Sequence, residues 1–194
     1  MPKPSHREKL LAEGFKVLLR QGYNGASVRD IVRAAGVPQG SFTNHFRSKE
    51  AFAGEVLGRY VARVDGKMEA TLRNDALAPL KRLAAWLDAQ IEFLKASKFR
   101  SGCLIGNFTI DAGGQSISIR KRLGAVIKHI EESIAYCLQA AVDAGEVPAA
   151  VDVGELAAFI YASWQRAILQ AKVERGAEPL ERFKRVLFGR VLVR

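Results

Sequence analysis

Residues 27–50, SVRDIVRAAGVPQGSFTNHFRSKE, constrain the fold more than any other part of the chain. Val28, Ile31, Val32 and Ala35 recur at helical spacing, and Gly36-Val37-Pro38 then interrupts the pattern before a second short helix. That second helix carries Phe42 and Phe46 to hold it down, but also Gln39, Ser41, Thr43, Asn44 and His45. So many small polar side chains do not suit a core and suit contact with a polar partner. The boundaries are written in the same residues. Ser27 with Asp30 three positions on forms a capping-box pattern, and Gly36 tolerates the left-handed stop. Pro38 fits the first turn of the next helix, and Ser48 caps a further one with Phe52 and Val56 facing inward.

The remaining patterns are helical too. Leu11, Phe15 and Leu18 mark a helix over 6–21 that ends at Gly22. Stripes beginning at Leu80, Leu123, Leu156 and Leu180 mark four more, the first ending near Ser97 and the second at Gly145. Residues 98–115 are irregular and rich in glycine. The expected fold is all-α. A three-helix N-terminal unit over 1–47 should be followed by a helical bundle over 48–194, which includes a connecting helix.

Charge narrows the partner. The 194 residues carry a formal net charge of +10. Residues 1–50 hold nine Lys/Arg and four Asp/Glu, so 9 − 4 = +5 lies in about a quarter of the chain. Such a balance attracts polyanions. The basic residues are not gathered on one amphipathic helix with an aromatic face, which argues against a membrane surface. No apolar run spans a bilayer and the N-terminus is too polar for a signal peptide, so a cytoplasmic chain with reduced Cys103 and Cys137 is expected. The three histidines and two cysteines lack metal-ligand spacing, so neither a metal nor a cofactor is expected.

Helix, short turn and helix form a geometry that inserts the second helix into a DNA major groove, about 12 Å wide, while the first braces the backbone. Asn and Gln suit adenine edges; Ser and Thr suit bases or phosphates. Lys49 suits a phosphate at the start of the following helix. The stretch Ser27–Phe52, with SVRDIVRAAGV, GSF, NHF and SKEAF after a helix ending in Gly22-Tyr23, resembles the DNA-binding domain of the TetR/AcrR family of transcriptional regulators. The resemblance implies DNA contacts from Ser27, Arg29, Gln39, Gly40, Ser41, Thr43, Asn44, His45 and Lys49. Family members often have Lys where Gln39 stands and Tyr where Thr43 stands, which implies compensation by Arg29, Arg47 and Lys49, or a different operator preference. It further implies a homodimer on a palindromic operator of double-stranded DNA. Its interface would use the last two long helices, here through Phe159, Trp164, Ile168, Phe183 and Leu187.

The most distinctive segment of the second half is Arg100-Ser101-Gly102-Cys103-Leu104-Ile105-Gly106-Asn107. A helix starting at Leu104 would place Cys103 at its N-terminus, with Lys98 and Arg100 near in sequence, a setting that favours thiolate. A small buried hydrophobe at a turn is the other reading. Cys137, beside the apolar stripe, reads as an inert core thiol. GCLIGN resembles the N-ethylmaleimide-responsive subgroup of the family, in which this cysteine senses electrophiles and oxidants and a lysine in a late helix approaches it; here that lysine is Lys172. Phe108-Thr109-Ile110-Asp111 departs from the subgroup's small and acidic continuation. Phe108, Trp86, Tyr136 and Trp164 are the residues that would line a pocket for a non-covalent small-molecule inducer, with Cys103 then only structural. An enzyme using Cys103 as nucleophile is a distant alternative, since no catalytic signature surrounds it.

Overall fold

The computed structural model describes residues 5–111 and 116–193. Among them every regular element is helical: α1 (His6–Gly25), α2 (Val28–Ala35), α3 (Gly40–His45), α4 (Lys49–Ala70), α5 (Pro79–Ala96), α6 (Leu104–Asp111), α7 (Ile117–Asp143), α8 (Val153–Glu174) and α9 (Glu178–Val186), the last running into a π-helical turn at Leu187–Val191. The expected all-α fold is what the chain adopts.

The chain forms two compact units. The first joins the residues up to Ala62 with Cys103–Gly124; the second joins Arg63–Gly102 with the residues from Ala125 onward. Helices α4 and α7 each pass from one unit to the other. The first unit therefore contains α1, α2, α3, the first part of α4, α6 and the first turns of α7.

In the first unit the capping signals at Ser27, Gly36 and Ser48 act as read, whereas Pro38, expected in the first turn of α3, precedes its N-cap Gln39 and accepts from Ser41 N at 2.9 Å. Ser27 Oγ accepts from Asp30 N at 3.1 Å, and Ser27 N donates to Asp30 Oδ2 at 3.1 Å, closing the capping box. Gly36 stops α2 at φ 60°, ψ 39° and donates to Arg33 O at 3.2 Å. Ser48 Oγ accepts from Ala51 N at 3.0 Å at the head of α4. Phe42, Phe46 and Phe52 meet with ring centroids 4.9–5.4 Å apart, and Phe52 is fully buried. This aromatic cluster fixes α3 to α4. Ion pairs from Arg7 to Glu55 (2.6 Å) and from Arg59 to Glu8 (2.7 Å) fasten α1 to α4.

The second unit is a helical bundle with Leu83, Leu87, Ile91, Ile134, Leu138, Ile160, Trp164 and Leu180 inside. Its buried cation, Arg82, is satisfied by Asp75 at 2.6 Å and Leu77 O at 2.7 Å. Glu146 accepts from Leu80 N at 2.8 Å, supplying the N-terminus of α5 with an acceptor that Ala78 cannot.

Candidate nucleic-acid interface and the Cys103 site

Helices α2 and α3 present the surface expected to read DNA. Gln39, Gly40, Thr43, Asn44 and His45 are exposed, as is Arg29 on α2. Six residues of α helix rise about 9 Å, short enough to lie within a groove about 12 Å wide. Several residues of the expected set have partners within the chain. Ser41 is buried, with its hydroxyl 3.1 Å from His6 Nδ1; this corrects its placement on the reading face, because one turn of α3 must face α1. The hydroxyl of Thr43 donates to Gly40 O at 3.0 Å, and that of Ser27 is engaged by Asp30. Lys49 is half-buried, with Nζ 4.5 Å from the centroid of the Tyr23 ring. Burial pushes its pKa down, against the opposing pull of Asp111.

Helix α6 meets the end of α1 closely. Gly22 breaks α1 at φ 74°, ψ 179°, freeing Tyr23 N to donate to Asp111 Oδ2 at 2.9 Å. Asn24 Nδ2 donates to Asp111 O at 2.9 Å, and the buried Asn107 Nδ2 donates to Leu19 O at 3.0 Å. Three hydrogen bonds and the Tyr23–Phe108 edge contact, 5.9 Å between centroids, thus join α6 to the residues just before the capping box of α2. Neither Asn107 nor Asp111 carried a sequence signal for this role beyond lying in a distinctive segment.

Cys103 lies at the other end of α6. Its carbonyl accepts from Asn107 N at 2.9 Å in the first turn, so the expected position at a helix N-terminus is found. The residue is 9% exposed, and its Sγ lies 3.7 Å from the hydroxyl of Tyr60 on α4. The Tyr60 ring in turn stacks on Phe15 of α1, centroids 6.0 Å apart. Cys137 is buried, donates to Pro79 O at 3.2 Å, and burial raises its pKa to about 11. That is the inert thiol expected.

The other expected sensor residues are divided between the two units. Phe108 belongs to the core of the first unit, against Tyr23. Trp86 and Trp164 are buried in the second unit, whereas Tyr136 is 43% exposed beneath the Arg73 guanidinium. Tyr136, expected to line a pocket, thus lies at the surface of the second unit. The indole N–H of Trp164 is buried with no acceptor among the described residues. Lys172 is half-buried on α8.

Of the expected interface residues, Trp164, Ile168 and Leu187 are already buried inside the chain itself, at 0%, 2% and 2% exposure. Trp164 and Ile168 turn toward the core because Ala157, Ile160, Tyr161, Ala167 and Ala171 share their face of α8, and Leu187 is buried at the start of the π-helical turn. The outward face instead carries Phe159, 55% exposed, beside a groove of ≈ 340 Å³ along Ser163, Arg166, Phe183, Val186 and Val191.

Two short helices across a glycine turn, the second exposing a polar face and both braced by a third, define a helix-turn-helix DNA-binding protein. Comparison with known proteins then makes the assignment specific. Residues 10–56 match the bacterial regulatory proteins of the tetR family, and residues 79–187 match the tetracyclin repressor-like C-terminal domain. The chain is 37% identical over 192 residues to the HTH-type transcriptional repressor DhaR of Mycobacterium sp. (strain GP1), covering 99% of this chain and 95% of that protein. It is 32% identical over 175 residues to the HTH-type transcriptional repressor NemR of Escherichia coli (strain K12), covering 90% and 88%. The crystal structure of regulatory protein TetR from Rhodobacter sphaeroides superposes with a TM-score of 0.91 at 32% identity, over 97% of this chain and 99% of that one. The chain belongs to the TetR family of DNA-binding transcriptional regulators. Among the described residues no helix is long and apolar enough to cross a membrane.

Proposed function

We propose that the chain is a homodimeric repressor, released from a palindromic operator when a reactive electrophile or oxidant modifies Cys103. Residues 1–47 are its DNA-binding domain, joined in the phosphate contacts by Lys49 at the head of α4, and residues 48–194 are its regulatory and dimerising part. Gln39, Gly40, Thr43, Asn44 and His45 read the operator, Arg29 and Lys49 meet phosphates, Ser27 caps α2 and Ser41 holds the reading helix α3 against α1. The dimer forms through the outward face of α8 and α9 around Phe159, Phe183, Val186 and Val191, whose exposed apolar surface supports that role.

The observation that carries the reading is the placement of α6 within the unit that holds the helix-turn-helix. Cys103 and Tyr60 meet at one end; Asp111 and Asn107 hold the end of α1 at the other. Addition of the Cys103 thiol to a maleimide forms a C–S bond at one alkene carbon, while the other takes up the thiol proton. The adduct has no room beside a residue 9% exposed, so Tyr60 and α6 must move. That motion displaces the residues leading into α2 and changes the spacing of the two reading helices. Lys172 is the late-helix lysine that the resemblance to the N-ethylmaleimide-responsive subgroup pairs with this cysteine, and Lys172→Ala tests whether it affects release. The test is a gel-shift with the DNA flanking the chain's own gene, repeated with quinones, aldehydes, maleimides and hypochlorite. Release by at least one class, absent in Cys103→Ser, supports the proposal; release retained in Cys103→Ser with every class contradicts it.

One observation favours a second reading. The unpartnered indole N–H of Trp164 would gain an acceptor from a non-covalent inducer, relieving a cost of about 1–3 kcal/mol. In that case Cys103→Ser remains fully inducible and Trp164→Phe does not.

A further inference from the structure

The described residues with a left-handed backbone other than glycine are Lys98, Phe99 and Arg175, at φ 53°, 55° and 54°. L side chains adopt this conformation at a cost, and such strain gathers where structure serves a ligand. All three lie together in the second unit. Arg175 Nη1 donates to Phe99 O at 3.5 Å, and Lys98, Arg100 and Arg175 line a cavity of ≈ 490 Å³. The depression is open to solvent and all three cations are exposed, which suits a small polar anion rather than an enclosed apolar ligand.

The charge around this cavity is unbalanced. No carboxylate among the described residues pairs with Lys98, Arg100 or Arg175, although ion pairs are frequent elsewhere on the same unit. The cations do have a structural use. Lys98 follows the C-cap of α5 and Arg175 is the C-cap of α8, where helix dipoles favour positive charge. Two helix C-termini supply only about −1 elementary charge between them. Three cations therefore leave a surplus of about +2 around an open depression.

We propose that Lys98, Arg100 and Arg175 form a binding site for a small dianionic oxyanion, either a phosphate monoester or a dicarboxylate. The two guanidinium groups offer forked donors to paired oxygens, and the ammonium supplies a third point of charge. The left-handed turn at Lys98-Phe99, pinned by Arg175, brings side chains from the ends of two helices to one ligand.

The test uses the full chain and two probes, inorganic phosphate and malonate, each compared with sodium chloride at matched ionic strength. Calorimetric titration is expected to show one saturable site per chain with at least one probe. Preference for phosphate identifies a phosphate-bearing ligand, and preference for malonate a dicarboxylic one. Lys98→Asn combined with Arg100→Gln is expected to weaken binding at least tenfold, Asn being tolerant of the left-handed backbone. Lys128→Gln, a cation on another helix, should bind as the unaltered chain does. If the double variant does not fold by circular dichroism, Arg100→Gln alone is expected to weaken binding at least threefold. Absence of saturable binding beyond matched chloride with both probes overturns the proposal, as does a folded double variant that binds within twofold of the original.

Discussion

Substituting Gly22 with alanine tests how firmly α6 is tied to the DNA-binding unit. A Cβ built at Gly22 lies 1.9 Å from Asp111 Oδ2, which must move away and give up its bond from Tyr23 N–H. A charge-assisted hydrogen bond is worth about 1.5–3 kcal/mol, and half-buried Asp111 belongs at the lower end. The backbone at φ 74°, ψ 179° is in a region almost reserved for glycine, adding about 1–3 kcal/mol. Gly22→Ala should therefore cost about 3–4 kcal/mol in urea unfolding followed by circular dichroism. In an Asp111→Ala background the collision and the bond are both gone, so the same substitution should cost only its backbone part, about 2 kcal/mol. A cost below about 1 kcal/mol in the original chain would refute the reasoning. So would an equal cost in both backgrounds, since the cycle would then show no coupling between Gly22 and Asp111.

Other expectations are shorter to state. The hydrogen bonds from Ser27 lower the pKa of Asp30, so its stabilisation is present above the unfolded-state value of about 4 and is lost as pH falls through the folded value. The melting-temperature gap between the original chain and Asp30→Asn should accordingly shrink from pH 5 to pH 3; a gap independent of pH would contradict this. Cys137, with its pKa raised to about 11, should remain unlabelled by maleimide in the folded chain at pH 8 while reacting in urea, as read by peptide mass spectrometry. Phe52→Ala removes the centre of the aromatic cluster and should cost about 3–5 kcal/mol, weakening operator binding in proportion to the unfolded fraction. Asn44→Ala should alter operator preference without lowering the melting temperature, whereas Ser41→Ala should lower the melting temperature and leave preference unchanged.

The helix boundaries were legible because they depend on a residue and its near neighbours. Ser27 with Asp30, Gly36 and Ser48 each act within four residues, and each does in the structure what its chemistry requires. The exposed polar face of α3 was legible for the same reason, apart from Ser41. Its burial depends on His6, thirty-five positions away. Distance along the chain also hid the partners of Cys103 and Asp111. Tyr60 reads as an ordinary helical aromatic, and the contacts from Asp111 to Tyr23 and Asn24 span 88 and 87 residues. The apolar stripe of α8 was found, but a stripe does not say which of its residues face the chain's own core. Trp164 and Ile168 do, and Phe159 does not.

The measurement that bears most directly on the proposed switch follows Cys103 modification and operator release together. Sub-stoichiometric N-ethylmaleimide is titrated into the chain; occupancy of Cys103 is read by peptide mass spectrometry and operator affinity by fluorescence anisotropy. The fraction of chain released should rise with Cys103 occupancy, reaching at least a tenfold loss of affinity, about 1.4 kcal/mol, at full modification. Fully modified chain that binds its operator as tightly as the unmodified chain would contradict the account.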